Sequence, residues 1–314
     1  MNSRVHPNYK TKYRVNNWAE YDRALVRRGD LMLWISEDAI AAWKPTPTGR
    51  RGAQQKFSDH AIETALTLRQ VFKLPLRQAE GFLKSILSLM SVDLEAPDHT
   101  TLSRRGQRLD MKLDVATSDM PIHLVVDSSG LSIIGEGEWA AAKHVGRGKR
   151  GWKKLHLGVD GNGVIVAQVL TDAAADDAKT GLHLIEETVG KIASVTADAA
   201  YDTVAIYEAA RARSANVVVP PIRTAKITRR GPRSAARDRT IQEVARIGRR
   251  QWKKESGYHL QGRVENTFFR YKGIIGNRLR ARTAGSRETE IVMACNILNR
   301  MVGVGMPVSR AVKI

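Results

Sequence analysis

An acidic and a basic side chain lie seven residues apart in the segment YHLQGRVENTFFRYK. On a continuous helix, this spacing brings Glu265 and Lys272 to one face, two turns apart. The neighbouring stripe is apolar and consists of Val264, Phe268, Tyr271 and Ile275. Glu265 is therefore predicted at the edge of a buried face, where a carboxylate needs a cation beside it. Lys272 and a metal ion are the two candidate cations, and an ordinary ion pair within the helix is the simpler interpretation.

Two further acidic residues follow short apolar runs, Asp127 after HLVV and Asp198 after VTA. Three carboxylates on separate elements of a basic chain favour a divalent-metal site with hard oxygen ligands, for Mg²⁺ or alternatively Mn²⁺. Two such ions, roughly 3.5–4 Å apart, activate a water or hydroxyl and stabilise the leaving oxygen in phosphodiester chemistry. Simpler interpretations exist as well. Asp127 could form a turn and Asp198 could cap a helix, while Asp202 competes with Asp198 for either role.

The charge of the chain limits the class of its partner. The 314 residues carry a net charge of +19, which suits a polyanion, and nucleic acid is the first choice. A basic ribosomal or membrane-surface protein would have a similar charge. The single cysteine, Cys295, excludes an intrachain disulfide framework and a cysteine zinc-finger cluster. Neither a signal-peptide pattern nor a bilayer-length apolar run is present, so we expect a cytoplasmic protein without membrane contact.

The N-terminal third predicts helices. Residues 1–55 are expected to form a basic arm and a small helical segment, and residues 56–118 show three helical patterns. The third of these helices carries Arg104, Arg105 and Arg108. Three short helices with a basic last one are typical of a helix-turn-helix unit, which predicts DNA contact by the third helix. A charged last helix is also common in small bundles that bind no DNA.

The periodicity then changes to that of strands. The pattern predicts a strand over 122–126 with a turn after it, and later a hairpin around Asp160–Gly163. A helix, a strand, a second helix and a last strand follow. This order predicts an α/β layer with an antiparallel portion. Asp127 and Asp198 are both expected at the carboxyl ends of strands, where sites in open sheets lie.

Two basic segments accompany the predicted sheet. The first is an exposed excursion over 135–154. The second, 222–256, has twelve Lys or Arg residues against three acids and is predicted to be an insertion that becomes helical after Thr240. Its position just before Glu265 favours contact with phosphates, and a solvated face is the simpler alternative. Its candidate DNA-binding residues are Arg249, Arg250, Lys253 and Lys254. A helix over 287–301 ends the predicted catalytic domain, 119–303, and a tail follows over 304–314.

Five short motifs are distributed along the chain. They are VVDSSGL at 125–131, GEGEW at 135–139, WKKLHL at 152–157, ADAAYD at 197–202 and RVENTFFRYK at 263–272. Together they resemble bacterial insertion-sequence DDE transposases, close to the insertion-sequence-five family, over the chain from about Lys12 to the last helix. The resemblance implies a ribonuclease H-like fold in which Asp127, Asp198 and Glu265 are the catalytic, metal-binding triad.

The wider superfamily has a Tyr-x2-Arg-x3-Glu-x6-Lys signature. Tyr258, Glu265 and Lys272 match its spacing, whereas Gln261 occupies the arginine position. Arg263 is a candidate to supply the missing charge. In the family these residues grip the DNA backbone near the cleavage point, so the resemblance implies DNA contact by Tyr258, Arg263 and Lys272.

The function implied by the resemblance is that of a Mg²⁺-dependent transposase. Such an enzyme binds the terminal inverted repeats of double-stranded DNA, hydrolyses a strand at each element end and joins the freed 3′-hydroxyl to target DNA. We expect it to act as a homo-oligomer on DNA in the bacterial nucleoid. The alternatives are a ribonuclease H-like nuclease that cuts without joining and a DNA-binding repressor with an inactive core.

Overall fold

The chain folds around one six-stranded sheet and has a second, two-stranded sheet at its termini. The computed structural model describes residues 12–47, 49, 54–115, 119–134, 151–229 and 231–312. The strands in chain order are β1 (Lys12–Val15), β2 (Ile122–Ile133), β3 (Trp152–Val159), β4 (Ile165–Asp172), β5 (Ile192–Thr196), β6 (Asn216–Val218), β7 (Arg278–Leu279) and β8 (Ser309–Val312).

The helices lie on both faces of the large sheet and in an N-terminal group. In chain order they are α1 (Trp18–Arg27), α2 (Glu37–Ala41), α3 (Asp59–Val71), α4 (Leu76–Leu89), α5 (His99–Gly106), α6 (Asp177–Glu187), α7 (Val204–Ala212), α8 (Ala235–Ile247), α9 (Arg249–Glu255), α10 (Gln261–Arg270) and α11 (Ala284–Val304). The segment 199–201 and the segment 258–260 form short 3-10 turns, and a π-helical turn over Tyr271–Ile275 follows α10.

The large sheet is mixed, with the order β4-β3-β2-β5-β6 and with β7 paired to the end of β2. β2, β3 and β4 are antiparallel neighbours, whereas β5 and β7 run parallel to β2 and β6 runs parallel to β5. The predicted hairpin is confirmed. The Asp160 side chain accepts hydrogen bonds from the Asn162 and Val164 backbone N–H groups, and Gly163 has a φ of 89°. The predicted order of strands and helices is also confirmed.

The predicted turn after residue 126 is wrong, because β2 is twelve residues long and continues to Ile133. Asp127 therefore lies in the middle of a strand and not at its end. Ser128 and Gly130 favour turns when considered alone, but β3 supplies a continuous partner, pairing Ser128 with His156 and Gly130 with Lys154. Lys154 accordingly belongs to a strand rather than to the predicted excursion. Residues 135–150 of that excursion lie outside the described part of the chain.

Two apolar clusters cover the faces of the sheet. On one face, Val125 and Leu157 pack against residues of α10 and α11, including Val264 and Ile291. On the other face, Leu124 and Val126 pack against α6 and α7. The alternation of side chains along β2 produces both clusters. The result is a three-layer α/β arrangement with a central mixed sheet, which is consistent with a ribonuclease H-like fold.

The three predicted N-terminal helices are confirmed as α3, α4 and α5. Ser58 caps α3 by accepting from the Ala61 N–H, and Asp98 caps α5 by accepting from the Thr100 and Thr101 N–H groups. These helices share a third apolar cluster with α11, to which that helix contributes Met293, Ile297 and Met301. The helical region and the sheet therefore share one helix.

The predicted loose arm and tail are paired where the structure describes them. β1 and β8 form an antiparallel ladder from Lys12–Val312 to Val15–Ser309. Asn17 precedes α1 as predicted, but its side chain makes no cap hydrogen bond. It donates to the Met306 carbonyl and accepts from the Val308 N–H instead. This contact ties the start of α1 to the segment before β8.

The segment 222–256 contains more helix than predicted, because α8 begins at Ala235 and not after Thr240. The last helix also begins earlier than predicted, at Ala284, and its cap is Thr283 rather than Ser286. Along that helix, one stripe of side chains is fully buried and consists of Ile291, Ala294, Cys295 and Leu298.

Candidate active site

Asp127 is the innermost of the three predicted acids. It lies on β2, on the same face as Val125, and is half-buried. Its side chain accepts a hydrogen bond of 2.8 Å from the Ser128 N–H. Burial, and to a smaller extent the negative charges of Asp198, Glu265 and Asp177, together raise the pKa of Asp127 to about 6 against the effect of that hydrogen bond.

Asp198 lies two residues past the end of β5, the parallel neighbour of β2. The register pairs Val125 with Thr196, and each acid lies two residues beyond its paired position. Asp198 is exposed, and it accepts a hydrogen bond of 2.9 Å from the Ala200 N–H at the start of a 3-10 turn. Asp198 thus caps this turn with one carboxylate oxygen, as the simpler interpretation predicted. Among the described residues the other oxygen has no such bond, so capping is compatible with a role at the site.

Glu265 approaches from the helix layer above these strands. Val264, beside it on α10, is fully buried against the sheet, which fixes the helix over the face that bears Asp127. Glu265 itself is exposed, so the prediction that it lies at a buried edge out of solvent is wrong. Its charge still reaches Asp127, because it contributes to the raised pKa of that carboxyl group.

Lys272 lies just past the end of the helix that carries Glu265. α10 ends at Arg270, and Lys272 belongs to the π-helical turn over Tyr271–Ile275. Among the described residues, no ion pair joins Glu265 to Lys272. Both Lys272 and Arg263 are exposed to solvent. The apolar stripe is confirmed, since Phe268 and Tyr271 are buried beside Val264.

The three acids suit a divalent cation by their chemistry. They supply hard oxygen donors, and after burial the charges of Asp198 and Glu265 are among the causes that raise the pKa of Asp127. In the described part of the chain, no three Asp, Glu, His or Cys side chains come close enough together to hold one ion. Asp127, Asp198 and Glu265 therefore share one electrostatic field without forming a closed set of ligands.

Asp202, the competitor of Asp198, has an intramolecular role. It is buried and forms a two-pronged ion pair with Arg237, with nitrogen–oxygen distances of 2.7 and 2.8 Å. It also accepts a hydrogen bond of 3.0 Å from the Ile222 N–H. These contacts attach the segment 222–256 to the sheet and leave Asp198 as the acid just past the end of β5.

A lysine that the sequence placed only in a general basic segment lies beside the acids. Lys253 Nζ is 4.2 Å from the centroid of the Tyr258 ring. Burial lowers the pKa of Lys253, as does Arg249, while Asp198 and Glu265 act in the opposite direction. Burial raises the pKa of Tyr258 to about 12, and the same acids contribute. The structure thus brings Lys253 and Tyr258 together at the acidic site.

Gln261, at the arginine position of the signature, is buried. The cation near Asp198 and Glu265 is instead Lys253, four residues after the start of α9. No pattern in the sequence marked this contact, because it depends on how α9 folds back towards α10. In the same segment, Arg249 donates to the Pro221 carbonyl, whereas Arg250 and Lys254 are exposed.

A buried polar group on the opposite face of the sheet was also missed. His156 is fully buried, with Nε2 2.8 Å from Thr171 Oγ1 and Nδ1 3.6 Å from Asp177. Burial lowers the pKa of His156 to about 4. Asp177 also lies 3.2 Å from Lys154. The negative charge of Asp177 also contributes to the raised pKa of Asp127. In the sequence, the only sign of a role for Asp177 is its position in the first turn of a helix.

The three arginines predicted on the third helix differ in their surroundings. Arg105 is half-buried and donates to the Phe57 carbonyl at 2.9 Å and to the Asp59 carboxylate. It thereby holds the start of α3. Arg104 and Arg108 are exposed, so these two remain available for a DNA backbone. All three assignments to DNA contact remain predictions.

Comparison with known families agrees with this arrangement. A family model described as a transposase DDE domain matches residues 118–300, which include Asp127, Asp198 and Glu265. A second model with the same description matches residues 26–136. Among the described residues, no helix combines the length and apolar character needed to cross a membrane. The match over more than half of the sequence shows that the chain belongs to the DDE transposases of the insertion-sequence type.

Proposed function

We propose that this transposase hydrolyses one strand at each end of its element and joins the freed 3′-hydroxyl to target DNA. Asp127, Asp198 and Glu265 would hold the divalent metal ions, with Mg²⁺ as the expected metal. The observation that carries this proposal is the placement of Asp127 on β2 and of Asp198 just past the end of the parallel neighbour β5, with the Glu265 helix packed over the face that bears Asp127. The assignment to the insertion-sequence-five family remains a prediction.

The chain's own residues have separate tasks in this proposal. Bound divalent metal supplies an activated oxygen nucleophile and stabilisation of the leaving oxygen. β2 holds Asp127 in place through its ladder with β3, which pairs Asp127 with Leu157. The exposed Asp198 and Glu265 can adjust their side chains around a cation. A bound cation would offset both the burial of the Asp127 carboxylate and its repulsion by Asp198 and Glu265, which together raise its pKa.

Cationic and aromatic residues around the acids would hold the DNA strand. We assign Lys253 to the phosphate nearest the acids, because its ammonium group is positioned by the Tyr258 ring and lies within electrostatic reach of Asp198 and Glu265. An ammonium group at this position would offset the repulsion between carboxylates and phosphate. The remaining proposed DNA-binding residues around the site are Arg249, Arg250, Lys254, Arg263 and Lys272.

Recognition of the element end is assigned to the helical region, through the exposed Arg104 on α5 and the exposed Arg108, which lies two residues past the end of that helix and not on it as predicted. We further propose a homo-oligomer on DNA, since joining two ends to one target requires two active sites at the same place. Two alternatives remain. A nuclease would cut without joining, and a repressor would bind DNA without metal-dependent nicking.

The substitution Glu265→Gln tests the proposed chemistry. It keeps the size of the side chain and removes one charge, so strand cleavage in Mg²⁺ should fall roughly a hundredfold or more. DNA binding in EDTA should persist or improve, because a negative charge that faces phosphate is removed. Asp127→Asn and Asp198→Asn should behave likewise, and double variants should be little worse than single ones.

The matched control is Glu187→Gln, an exposed glutamate at the end of α6, which should leave cleavage unchanged. Asp202→Asn is unsuitable as a control, because it breaks a buried ion pair. Cleavage by the Glu265→Gln variant at a near-normal rate would refute the mechanism. Cleavage without strand joining by the unsubstituted protein would favour the nuclease.

A further inference from the structure

A cavity of about 450 Å³ lies between the helical region and the end of the sheet, away from the three acids. Its walls come from α3, α5, the loop after β7 and the first turns of α11. Three arginines line it, namely Arg69, Arg280 and Arg282, against one glutamate, Glu290. The cavity is therefore cationic and is not used by the chemistry proposed above.

The single carboxylate in the cavity is already engaged. Glu290 accepts hydrogen bonds from the Arg280 N–H at 3.0 and 3.1 Å and from the Ala281 N–H at 2.8 Å. Arg287 Nε donates to the Ala281 carbonyl at 3.0 Å. These contacts fix the loop that carries Arg280 and Arg282. The arginine side chains thus project from a rigid wall and not from a mobile loop.

Arg69 is the group in this cavity that lacks compensation. Its Nε is buried and has no hydrogen-bond partner among the described residues. Burial lowers the pKa of Arg69, Glu290 partly offsets this effect and Arg280 adds to it. A buried guanidinium nitrogen without an acceptor is costly. An anion in the cavity would supply that acceptor.

The cavity adjoins the surface around the exposed Arg104 and Arg108, at α5 and just past its end. Ser103 and Gln107 line it, and the surface around these two residues continues to Arg104 and Arg108. A strand of DNA that crosses α5 would therefore reach the mouth of the cavity. Phosphate is the anion that such a strand presents, and arginine binds it through two parallel hydrogen bonds.

We propose that the cavity formed by Arg69, Arg280 and Arg282 binds a backbone phosphate of the DNA duplex that this transposase holds. The inference rests on the proposed function for the identity of the anion. Leu279, which precedes Arg280, pairs with Ile133, six residues beyond Asp127 on β2. At about 3.3 Å per residue, the cavity entrance lies roughly 20 Å along the strand from Asp127. A phosphate bound there would set the distance between the held duplex and the cleaved bond, about six base pairs at 3.4 Å each.

The test measures binding of a fluorescent 20-base-pair duplex of random sequence in EDTA at several salt concentrations. Each lost phosphate contact should reduce the slope of log affinity against log salt by about 0.9. Arg282→Met and Arg69→Met should each show this reduction. Arg69→Lys should keep the slope, because the charge remains, while affinity falls with the loss of the forked contact.

Arg211→Met, an exposed arginine on α7 on the other side of the sheet, is the control and should keep the slope. If Arg282→Met and Arg69→Met show the same slope of log affinity against log salt as the control, the proposal is overturned. Failure of the unsubstituted protein to bind the duplex would overturn it as well. The readout requires no cleavage. A reduced slope in a protein that never cuts element ends would support the cavity and refute the proposed strand transfer.

Discussion

At the scale of single residues, the candidate site is arranged at the expense of stability. Asp127 would be ionised below pH 6 if it were in water, but in the folded chain burial and three neighbouring acids raise its pKa to about 6. In the unfolded chain the value is about 3.9. Above pH 6, the carboxylate is charged in both states, and holding this charge in the buried, acidic site lowers the stability of the folded state. As pH falls from 6 towards 4, the folded state takes up the proton first and the cost disappears.

Asp127→Asn should therefore stabilise the metal-free protein. We expect a gain in the free energy of unfolding on the order of 1–3 kcal/mol at pH 7.5, which shrinks towards zero near pH 4. Urea denaturation in EDTA at pH 7.5, 6 and 4.5 measures it. The exposed Asp22 on α1 provides the control, as Asp22→Asn. A variant as stable as the unsubstituted protein at pH 7.5 would show that the acids do not repel one another as described.

The sequence predicted the chemical residues at this scale better than their surroundings. Residue type and motif selected Asp127, Asp198 and Glu265 as candidates, and their catalytic role stays a prediction. The buried ion pair between Asp202 and Arg237 joins residues that are 35 positions apart. Lys253 is at least 12 positions from the acids whose charges reach it. Such contacts depend on how α8 and α9 fold back on the sheet. No local pattern encodes that path.

At the scale of elements, short sequence patterns correctly predicted the features that are formed by contacts between residues close in sequence. The Ser58 and Asp98 caps and the Asp160–Gly163 hairpin are formed by side chains that bond to backbone within four residues. The length of β2 depended instead on a partner strand thirty residues away, and so the turn predicted at Asp127 was wrong. The pairing of β1 with β8 joins the two ends of the described chain and had no local signal.

One element-level contact supports the helix that carries Asp177. Arg213, just after α7, donates to four carbonyls at the end of α6, those of Ile185, Glu186, Thr188 and Gly190, at 2.6–3.3 Å. The last carbonyls of a helix lack partners within it, and the helix dipole favours a cation there. Arg213 thereby holds α6 and α7 together on one face of the sheet.

Arg213→Met should lower the free energy of unfolding by about 2–3 kcal/mol, because it leaves half-buried carbonyls without donors. Arg213→Lys should recover only part of the loss, since one ammonium group cannot replace a planar fork. Urea midpoints measure both. Arg211→Met, at an exposed position on α7, should change the midpoint little. Equal midpoints for Arg213→Met and Arg211→Met would contradict the assigned role.

At the scale of the whole molecule, α11 joins the helical region to the sheet. One side of this 21-residue helix places Ile291, Ala294 and Leu298 in the cluster under the sheet. Another side places Met293, Ile297 and Met301 in the cluster of α3, α4 and α5. The cavity lined by Arg69 lies between these two groups. This helix therefore sets the position of α5 relative to β2. It would thereby also set the position of a duplex held on α5 relative to the acids.

Sharing of α11 predicts that the two regions unfold together. Ile297 is 2% exposed and belongs to the helical cluster, and Ile297→Ala should cost about 2–5 kcal/mol. Because α11 also packs under the sheet, amide hydrogen exchange should accelerate equally at Leu83 in α4 and at Leu157 in β3. Leu89→Ala, at a side chain that is 84% exposed, should change neither rate. Faster exchange confined to Leu83 would mean that the helical region opens independently, in which case α11 could not hold a duplex on α5 at a fixed distance from Asp127.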